Sequence, residues 1–501
     1  MMKVLLITPN LKGSKEGLNR IQPPLGLMLS AAVIRDRGHD VMIHDSALSG
    51  WFNRKDIGNN MVMIGDSDDD ILKLVSDYSP DVVGISALFS NLMDSAHKIA
   101  SVVKEVDKNI VVVLGGNHIS SAIRDYKNAL IVKDNLLERI VDLEDKNIDF
   151  AMYGEVEFDF AKLIDILSVN NSVDDIDGLV YKKNENGSYH INKTPEKNMD
   201  LDTLPMPARD LVDMEGYFKI GAFHSPKSRS KRVLSLMASR GCPEKCTFCT
   251  TPDMWGAKVR WRSVSNIIDE IKHSIDVFNI EEIQFEDDTI TARRKNLIEL
   301  CGELKKIGLP WCTPNGVKVD YHLPHQPEMF KAMFDSGCYQ ITLACETGVQ
   351  DVMDNIVGKR LNVETIVPSI ENAKNAGMLV HTFWILGFPG ESYSDIKKTI
   401  DFALKSGADS YSFAILSPLP GTPIYKKVVK ENLFWDGMGI DDLTYRSSLI
   451  KVDGFDSPYE FEKFISDVNY KANNMLREND PDRFRQKYGT NLKLSDLQKQ
   501  T

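Results

Sequence analysis

Cysteine is scarce, and none occurs before Cys242: seven are present in 501 residues. So sparse a set excludes a disulfide scaffold. Long hydrophobic runs are also lacking. The nearest, Met378–Phe388, contains His381 and falls short of the ~20 apolar residues needed to cross a bilayer, so no membrane insertion is expected. The opening apolar run, Val4–Ile7, is too short for a signal-peptide core, and a cytoplasmic location follows as an expectation. No basic run interrupts a balance of 60 Lys and Arg against 72 Asp and Glu, net charge -12. That balance disfavours phosphate-backbone binding, and no nucleic-acid partner is expected. There is no tandem repeat of fixed period. No glycine-rich phosphate cradle is present either, because Ile7 leads into Thr8-Pro9-Asn10 and no Gly-rich run ends in Gly-Lys-Ser or Gly-Lys-Thr. What remains is a composition 42% hydrophobic and 26% charged, that of a globular protein with at least two domains.

The first third alternates Val/Ile-rich runs (Val4–Ile7, Val41–His44, Val82–Ser86, Ile110–Leu114, Phe150–Tyr153) with helical spacing, as in Gly26–Arg37, Asn91–Val106 and Phe158–Leu167. This alternation predicts a doubly wound α/β sheet, whose ligands bind at strand C-terminal ends. Asn186-Gly187 between two alternating stretches predicts a hairpin. Domain one is expected at 1–194 and a connector at 195–227. A second alternation begins at Val233 and recurs at Glu282–Phe285, Trp311–Gly316, Gln340–Ala344, Val380–Leu386 and Ser410–Leu416, with helices such as Val264–Phe278 and Lys295–Ile307 between. Six strand-and-helix units predict a partial parallel barrel over 228–450, followed by a helical C-terminal segment, 451–501, whose polar last residues are expected to fray.

The informative cluster is SRGCPEKCTFCT, with Cys242, Cys246 and Cys249 on one loop just after a predicted strand. Three soft thiolates suit iron-sulfur or zinc. A closed zinc site calls for four ligands, and no fourth Cys or His lies nearby in sequence, His224 and His273 being remote. Three ligands on a four-iron cluster leave one iron open for chemistry. The other cysteines, Cys301, Cys312, Cys338 and Cys345, are scattered and read as buried small hydrophobes.

This Cys-x3-Cys-x2-Cys spacing, with the aromatic Phe248 before the last cysteine, resembles the signature of the radical S-adenosylmethionine enzymes. The resemblance implies a 4Fe-4S cluster on the three cysteines. S-adenosylmethionine would bind at the open iron and be cleaved by one electron to a deoxyadenosyl radical. It also extends to IQFEDDTIT, where Asp287 and Asp288 would approach the methionine moiety, although both can equally cap the helix that follows. Glu346 in TLACETG would face the cofactor pocket. In FWILGFPGE, Ile385 would lie against adenine, with Gly387 and Gly390 allowing close backbone approach. LSPLPGTPIY is similar to the loop after the family's last strand.

The first domain resembles the cobalamin-binding domain that precedes many such barrels. The matching segments imply contacts at Pro24, Leu25 and Gly26, at Ser86 and Leu88, at Gly115, Gly116, Asn117 and His118, and at Gly154 and Glu155. The Asp-x-His-x2-Gly sequence that supplies histidine to cobalt in other cobalamin enzymes is absent. No histidine on cobalt is therefore expected, and His118 stays open as a loop histidine. The resemblance implies a methyltransferase carrying a methyl group from methylcobalamin to an unactivated carbon, or phosphorus, of a small metabolite. Its alternative is a cyclase or rearrangement enzyme of the same architecture. A small-molecule substrate and an external electron donor of flavodoxin or ferredoxin type are implied. Methylthiolation would need a second cluster, and the first domain has no cysteine to hold one.

Overall fold

A computed structural model describes residues 1–15, 19–58, 60–132, 141–169, 171–182, 189–225, 227–444 and 446–479. The chain divides into two compact units, Met1–Ala222 with Asp253–Trp255, and Phe223–Pro252 with Gly256–Thr501. Among the described residues no helix is long and apolar enough to cross a membrane.

The first unit is built on strands β1 (Lys3–Thr8), β2 (Asp40–Asp45), β3 (Val82–Ser86), β4 (Val111–Gly115), β5 (Phe150–Met152), β6 (Leu179–Lys182) and β7 (Tyr189–Ile191), in the order β7-β6-β5-β4-β3-β1-β2. Strands β1 to β5 pair in parallel, and β6 and β7 add antiparallel at one edge. Helices α1 (Leu25–Asp36), α2 (Asp68–Tyr78), α3 (Met93–Val106), α4 (Asn117–Val132) and α5 (Glu157–Ser168) link the strands. Leu5 and Ile7 enter one core with Ile99 and Val103, while Val4 and Leu6 enter the other with Met28 and Ile164. A strand buried on both faces needs an unbroken apolar run, which is why Val4–Ile7 shows no polar alternation. The order reverses between β1 and β3, the point at which such sheets bind ligands.

Two features of this unit escape the periodicity. Leu11–Ser14, Arg54–Gly58 and Met61–Ile64 form a small antiparallel sheet. Asn186-Gly187 lies outside the described residues, although β6 and β7 pair as a hairpin would. Residues 195–222, expected as part of a connector, belong to the first unit and include helix α6 (Met214–Ile220). Burial explains this placement: the Ala208 amide donates to the Met28 carbonyl at 3.1 Å, and the buried Tyr217 donates its hydroxyl to Asp45.

In the second unit, strands β8 (Val233–Leu236), β9 (Glu282–Phe285), β10 (Trp311–Lys318), β11 (Cys338–Glu346), β12 (Leu379–Leu386) and β13 (Ser410–Ile415) lie side by side in chain order, every pair parallel. This is the six-stranded partial barrel. Helices α7 (Val264–Phe278), α8 (Arg294–Ile307), α9 (Gln326–Asp335), α10 (Ile366–Asn375) and α11 (Tyr393–Lys405) follow successive strands. Ser263 and Ser392 cap α7 and α11 by accepting backbone N–H bonds, and Gly308, at φ 78°, ends α8.

Residues 224, 225 and 227–230 run along β9 against its direction. His224 pairs with Glu286 beyond the strand's end at 2.7 Å, and the Ser225 amide donates to Gln284 at 3.0 Å. At the strand's start the Ser230 amide donates to Glu282 at 2.9 Å. Lys227 reaches across to His381 and Ser410 on β12 and β13. The last helix, α12 (Pro458–Asn479), covers the outer edge strand β13. The expected fraying beyond it lies outside the described residues.

Candidate active site

The cysteine loop leaves β8 through a two-residue ribbon, Ser239–Arg240 paired with Arg260–Trp261. Gly241 turns it at φ 102°, where a Cβ would sit 2.4 Å from the Lys258 carbonyl, so no side chain fits. Cys242, Cys246 and Cys249 are half-buried free thiols. Burial raises all three, Cys242 to about 11. Thr247 pins the loop. Its amide donates to the Val357 carbonyl at 2.9 Å, its hydroxyl to Ile356 at 2.7 Å, and its carbonyl accepts from the Ile424 amide at 3.1 Å. Ile424 belongs to LSPLPGTPIY, so the loop after the last strand does reach the cysteines.

The two adjacent aspartates divide the work. Asp287 is buried and accepts from the Ala238 amide at 3.0 Å and from the Ser239 hydroxyl, holding the start of the cysteine loop. Burial lifts its carboxyl to about 7. Asp288 accepts from the Thr251 hydroxyl at 3.0 Å through one oxygen. Its other oxygen is buried and, among the described residues, has no hydrogen-bond partner. Burial lifts the Asp288 carboxyl to about 6. A buried acceptor without a donor is costly, and an ammonium group would relieve it. Asp288 therefore fits the methionine end of S-adenosylmethionine, and Asp287 acts as a strut.

Glu346 closes β11 at a register shift and carries φ 63°, an uncommon conformation for a residue with a side chain. It pairs with Lys359, which sequence reading missed because no local motif marks a lysine thirteen positions on, beyond the helical residues 350–357. Ile385 is half-buried on the face of β12 shared with His381 and Phe383. Phe248 meets Phe388 edge-on at 5.9 Å. Gly387 differs from expectation: the space a Cβ would take is occupied by Phe461 at 2.8 Å and Val452 at 3.1 Å, so its bareness serves packing. Glu391, unassigned from the sequence, accepts the Gly387 and Phe388 amides at 2.8 and 3.1 Å and fixes this turn.

In the first unit the candidate residues stand at strand C-terminal ends. Ser86 and Gly115 end β3 and β4, Leu88 follows β3, Gly116 to His118 open α4, Gly154 and Glu155 follow β5, and Pro24 to Gly26 open α1. Three loops are tied together: Ala87 donates to the Gly115 carbonyl at 2.8 Å, His118 to the Ala87 carbonyl at 3.4 Å, and Gly154 to the Ser120 hydroxyl at 2.9 Å. Leu88 and Phe89 are 48% and 42% exposed at this point of the sheet, and a Cβ on Gly115 would find only the Met152 carbonyl, at 3.9 Å. An open glycine turn beside exposed apolar side chains fits a large ligand with an apolar face, as cobalamin has. His118 is buried, with Nδ1 on Ser90 at 2.8 Å and Nε2 on Asp142 at 3.1 Å. Asp142 also pairs with His97 at 3.3 Å. Both ring nitrogens of His118 are thus engaged, which suits a network histidine and not a cobalt ligand.

The profile of the Radical SAM superfamily matches residues 236–403, and that of the B12 binding domain matches residues 18–133. The chain is 32% identical over 499 residues to cytidylyl-2-hydroxyethylphosphonate methyltransferase of Streptomyces wedmorensis, covering 94% of this chain and 90% of that protein. It is 29% identical over 436 residues to the uncharacterized methyltransferase PH0819 of Pyrococcus horikoshii, covering 86% of this chain and 84% of that protein. Among solved structures, the radical S-adenosylmethionine methyltransferase TsrM of Kitasatospora setae, with cobalamin and a 4Fe-4S cluster bound, shares the fold. The TM-score is 0.64 at 16% identity, over 86% of this chain and 75% of that one. A B12-binding unit precedes a radical S-adenosylmethionine unit here, and the chain belongs to the cobalamin-dependent radical S-adenosylmethionine enzymes, as a methyltransferase.

Proposed function

We propose that the enzyme transfers a methyl group to an unactivated carbon, or to phosphorus, of a small metabolite. When bound, the cluster supplies the electron that cleaves S-adenosylmethionine, and cobalamin is the methyl carrier. The chain's part is to hold and orient. Cys242, Cys246 and Cys249 supply three thiolates, and the unpartnered oxygen of Asp288 accepts the ammonium of S-adenosylmethionine. Phe248, Ile385 and the turn braced by Glu391 give the apolar side of that pocket. In the first unit, the turns at Gly115 and Gly116 and at Gly154 and Glu155, with Ser86, Leu88, Asn117 and Pro24 to Gly26, border the cobalamin site. His118 stays in its hydrogen-bond network. Free thiols and a low-potential cluster suit the reducing cytoplasm, with an electron donor of flavodoxin or ferredoxin type.

One observation favours methyl transfer over cyclisation: over 94% of the chain in each case, the identity is 32% to the phosphonate-nucleotide methyltransferase and 23% to an anaerobic magnesium-protoporphyrin IX monomethyl ester cyclase of Rubrivivax gelatinosus. The test begins with iron and cobalt per chain, in protein produced with cobalamin and purified without oxygen. About four irons and about one cobalt are expected. Product mass then decides, since a gain of one methyl group supports the reading and loss of hydrogen without added carbon overturns it in favour of cyclisation. Cys246→Ala is expected to abolish 5'-deoxyadenosine formation, and wild-type yield from that variant would refute the cluster assignment.

A further inference from the structure

The ion pair between Lys359 and Glu346 measures 2.8 Å, with 6% and 8% of the two side chains exposed. A pair so deeply buried is costly unless further bonds satisfy it. Lys359 also donates to the Ala344 carbonyl at 2.7 Å. Glu346 is delivered to it by the register shift and by the left-handed backbone at φ 63°. Burial and strain at one place point to a role beyond stability.

The turn that carries Lys359 lies against the residues on either side of Cys246. Gly358, at φ 70°, packs closely here: a Cβ there would stand 3.3 Å from Thr247 Cγ2 and 3.4 Å from the Lys245 carbonyl. The neighbouring Val357 carbonyl takes the Thr247 amide. Burial opposes the Lys359 ammonium, yet its pairing with Glu346 keeps it charged, at about 12. Lys359 is a buried positive charge in the turn that packs against Lys245 and Thr247, the two residues flanking Cys246.

We infer that Lys359 sets the reduction potential of the cluster held by Cys246, and that Glu346 anchors and partly offsets its charge. This rests on the reading of Cys242, Cys246 and Cys249 as cluster ligands. Reduction adds one electron from a low-potential one-electron donor, makes and breaks no bond, and places one more negative charge beside Cys246. A buried ammonium favours that added charge because the interior screens it poorly. Lys359 acts through Cys246 and is a positioning residue.

The experiment compares the anaerobically reconstituted full chain with K359M, K359R and E346Q. Iron per chain is measured first, and the midpoint potential is then read by reductive titration followed by electron paramagnetic resonance of the reduced cluster. About four irons are expected in each. K359M should be harder to reduce, by about tenfold in the reduction equilibrium, which is about 59 mV for a one-electron couple. K359R, which keeps the charge, should stay near wild type, and E346Q should shift toward easier reduction. Opposite signs for K359M and E346Q separate a charge effect from damaged packing, which would move both together. An unchanged potential in iron-loaded K359M, or shifts of the same sign, would overturn the inference. If K359M fails to retain iron, E346Q decides alone: easier reduction supports the inference and no shift overturns it. Wild-type protein without iron would overturn the ligand reading instead, and this inference with it.

Discussion

Two adjacent glycines, Gly115 and Gly116, differ in what they tolerate. Gly116 has φ 110°, and a Cβ would stand 2.3 Å from the Ala87 carbonyl, whereas Gly115 has nothing closer than 3.9 Å. Gly116→Ala should therefore force the loops after β3 and β4 apart and lower the melting temperature. Gly115→Ala should leave melting and iron content unchanged while reducing cobalt per chain, because its methyl group intrudes where the ligand backs onto the turn. Full cobalt in Gly115→Ala would remove this turn from the cobalamin site. A second expectation concerns Glu391, whose carboxyl burial lifts to about 7 from an ordinary 4.5. Between those values the folded chain keeps a proton that the unfolded chain has lost. The group's contribution to stability is complete below about 4.5 and disappears as pH rises through 7. Glu391→Gln keeps an acceptor for the Gly387 and Phe388 amides and cannot ionise. Thermal melts from pH 4.5 to 7 should show wild type losing ground to the variant, and parallel curves would contradict the assignment. The three cysteines were legible because their spacing is local, along with the aromatic before the last. The split between Asp287 and Asp288 was not, since it depends on which of the two carboxylates the Ala238 amide reaches. Lys359 was hidden for the same reason, thirteen positions from the glutamate it meets.

Helix α12 shows how an element can complete a sheet without being a strand. Strand β13 is the last of the partial barrel, and its outer edge leaves backbone groups without a strand to pair with. Asn473 accepts from the Tyr411 amide at 3.2 Å and donates to the Tyr411 carbonyl at 2.9 Å, and Asn469 does the same for Phe413 at 2.9 and 2.8 Å. Four residues on a helix rise about 6 Å, close to two residues of a strand, so side chains at that helical interval meet alternate strand residues. Asn469→Ala and Asn473→Ala should each cost about 1–3 kcal/mol in chemical denaturation, because each strips a buried amide and carbonyl of their partners. Amide hydrogen exchange at Tyr411 and Phe413 should accelerate in the matching variant, and unchanged protection would mean that the helix does not cap the strand. The sequence showed that this tail is helical, but not which strand would be left at the edge. The six apolar runs of the barrel were readable because buried parallel strands need them. Arg54–Gly58 was not, being exposed along its length and so without a periodic signal. Residues 224 and 225 fall within the expected connector because a short polar run gives no hint that the Ser225 amide will satisfy Gln284.

At the scale of the whole molecule, the chain divides into two compact units and all seven cysteines fall in the second. None precedes Cys242, so a thiolate cluster has no ligand among residues 1–222, and Cys301, Cys312, Cys338 and Cys345 are buried in the second unit. Iron should therefore load without regard to cobalamin. Chains produced in cobalamin-free medium are expected to hold about four irons and no cobalt, to form 5'-deoxyadenosine, and to release no methylated product. Chains of this kind need not unfold in one step. A ligand that binds one folded unit stabilises it by mass action, by about 2.7 kcal/mol at one hundred times its dissociation constant, and leaves an independent unit where it was. Calorimetry of the iron-loaded chain should accordingly show two transitions, of which added cobalamin raises one. If iron fell in step with cobalt, or if both transitions rose together, the cluster loop would depend on the first unit for its integrity. The description of two self-sufficient sites would then have to give way to one in which cobalamin completes the second.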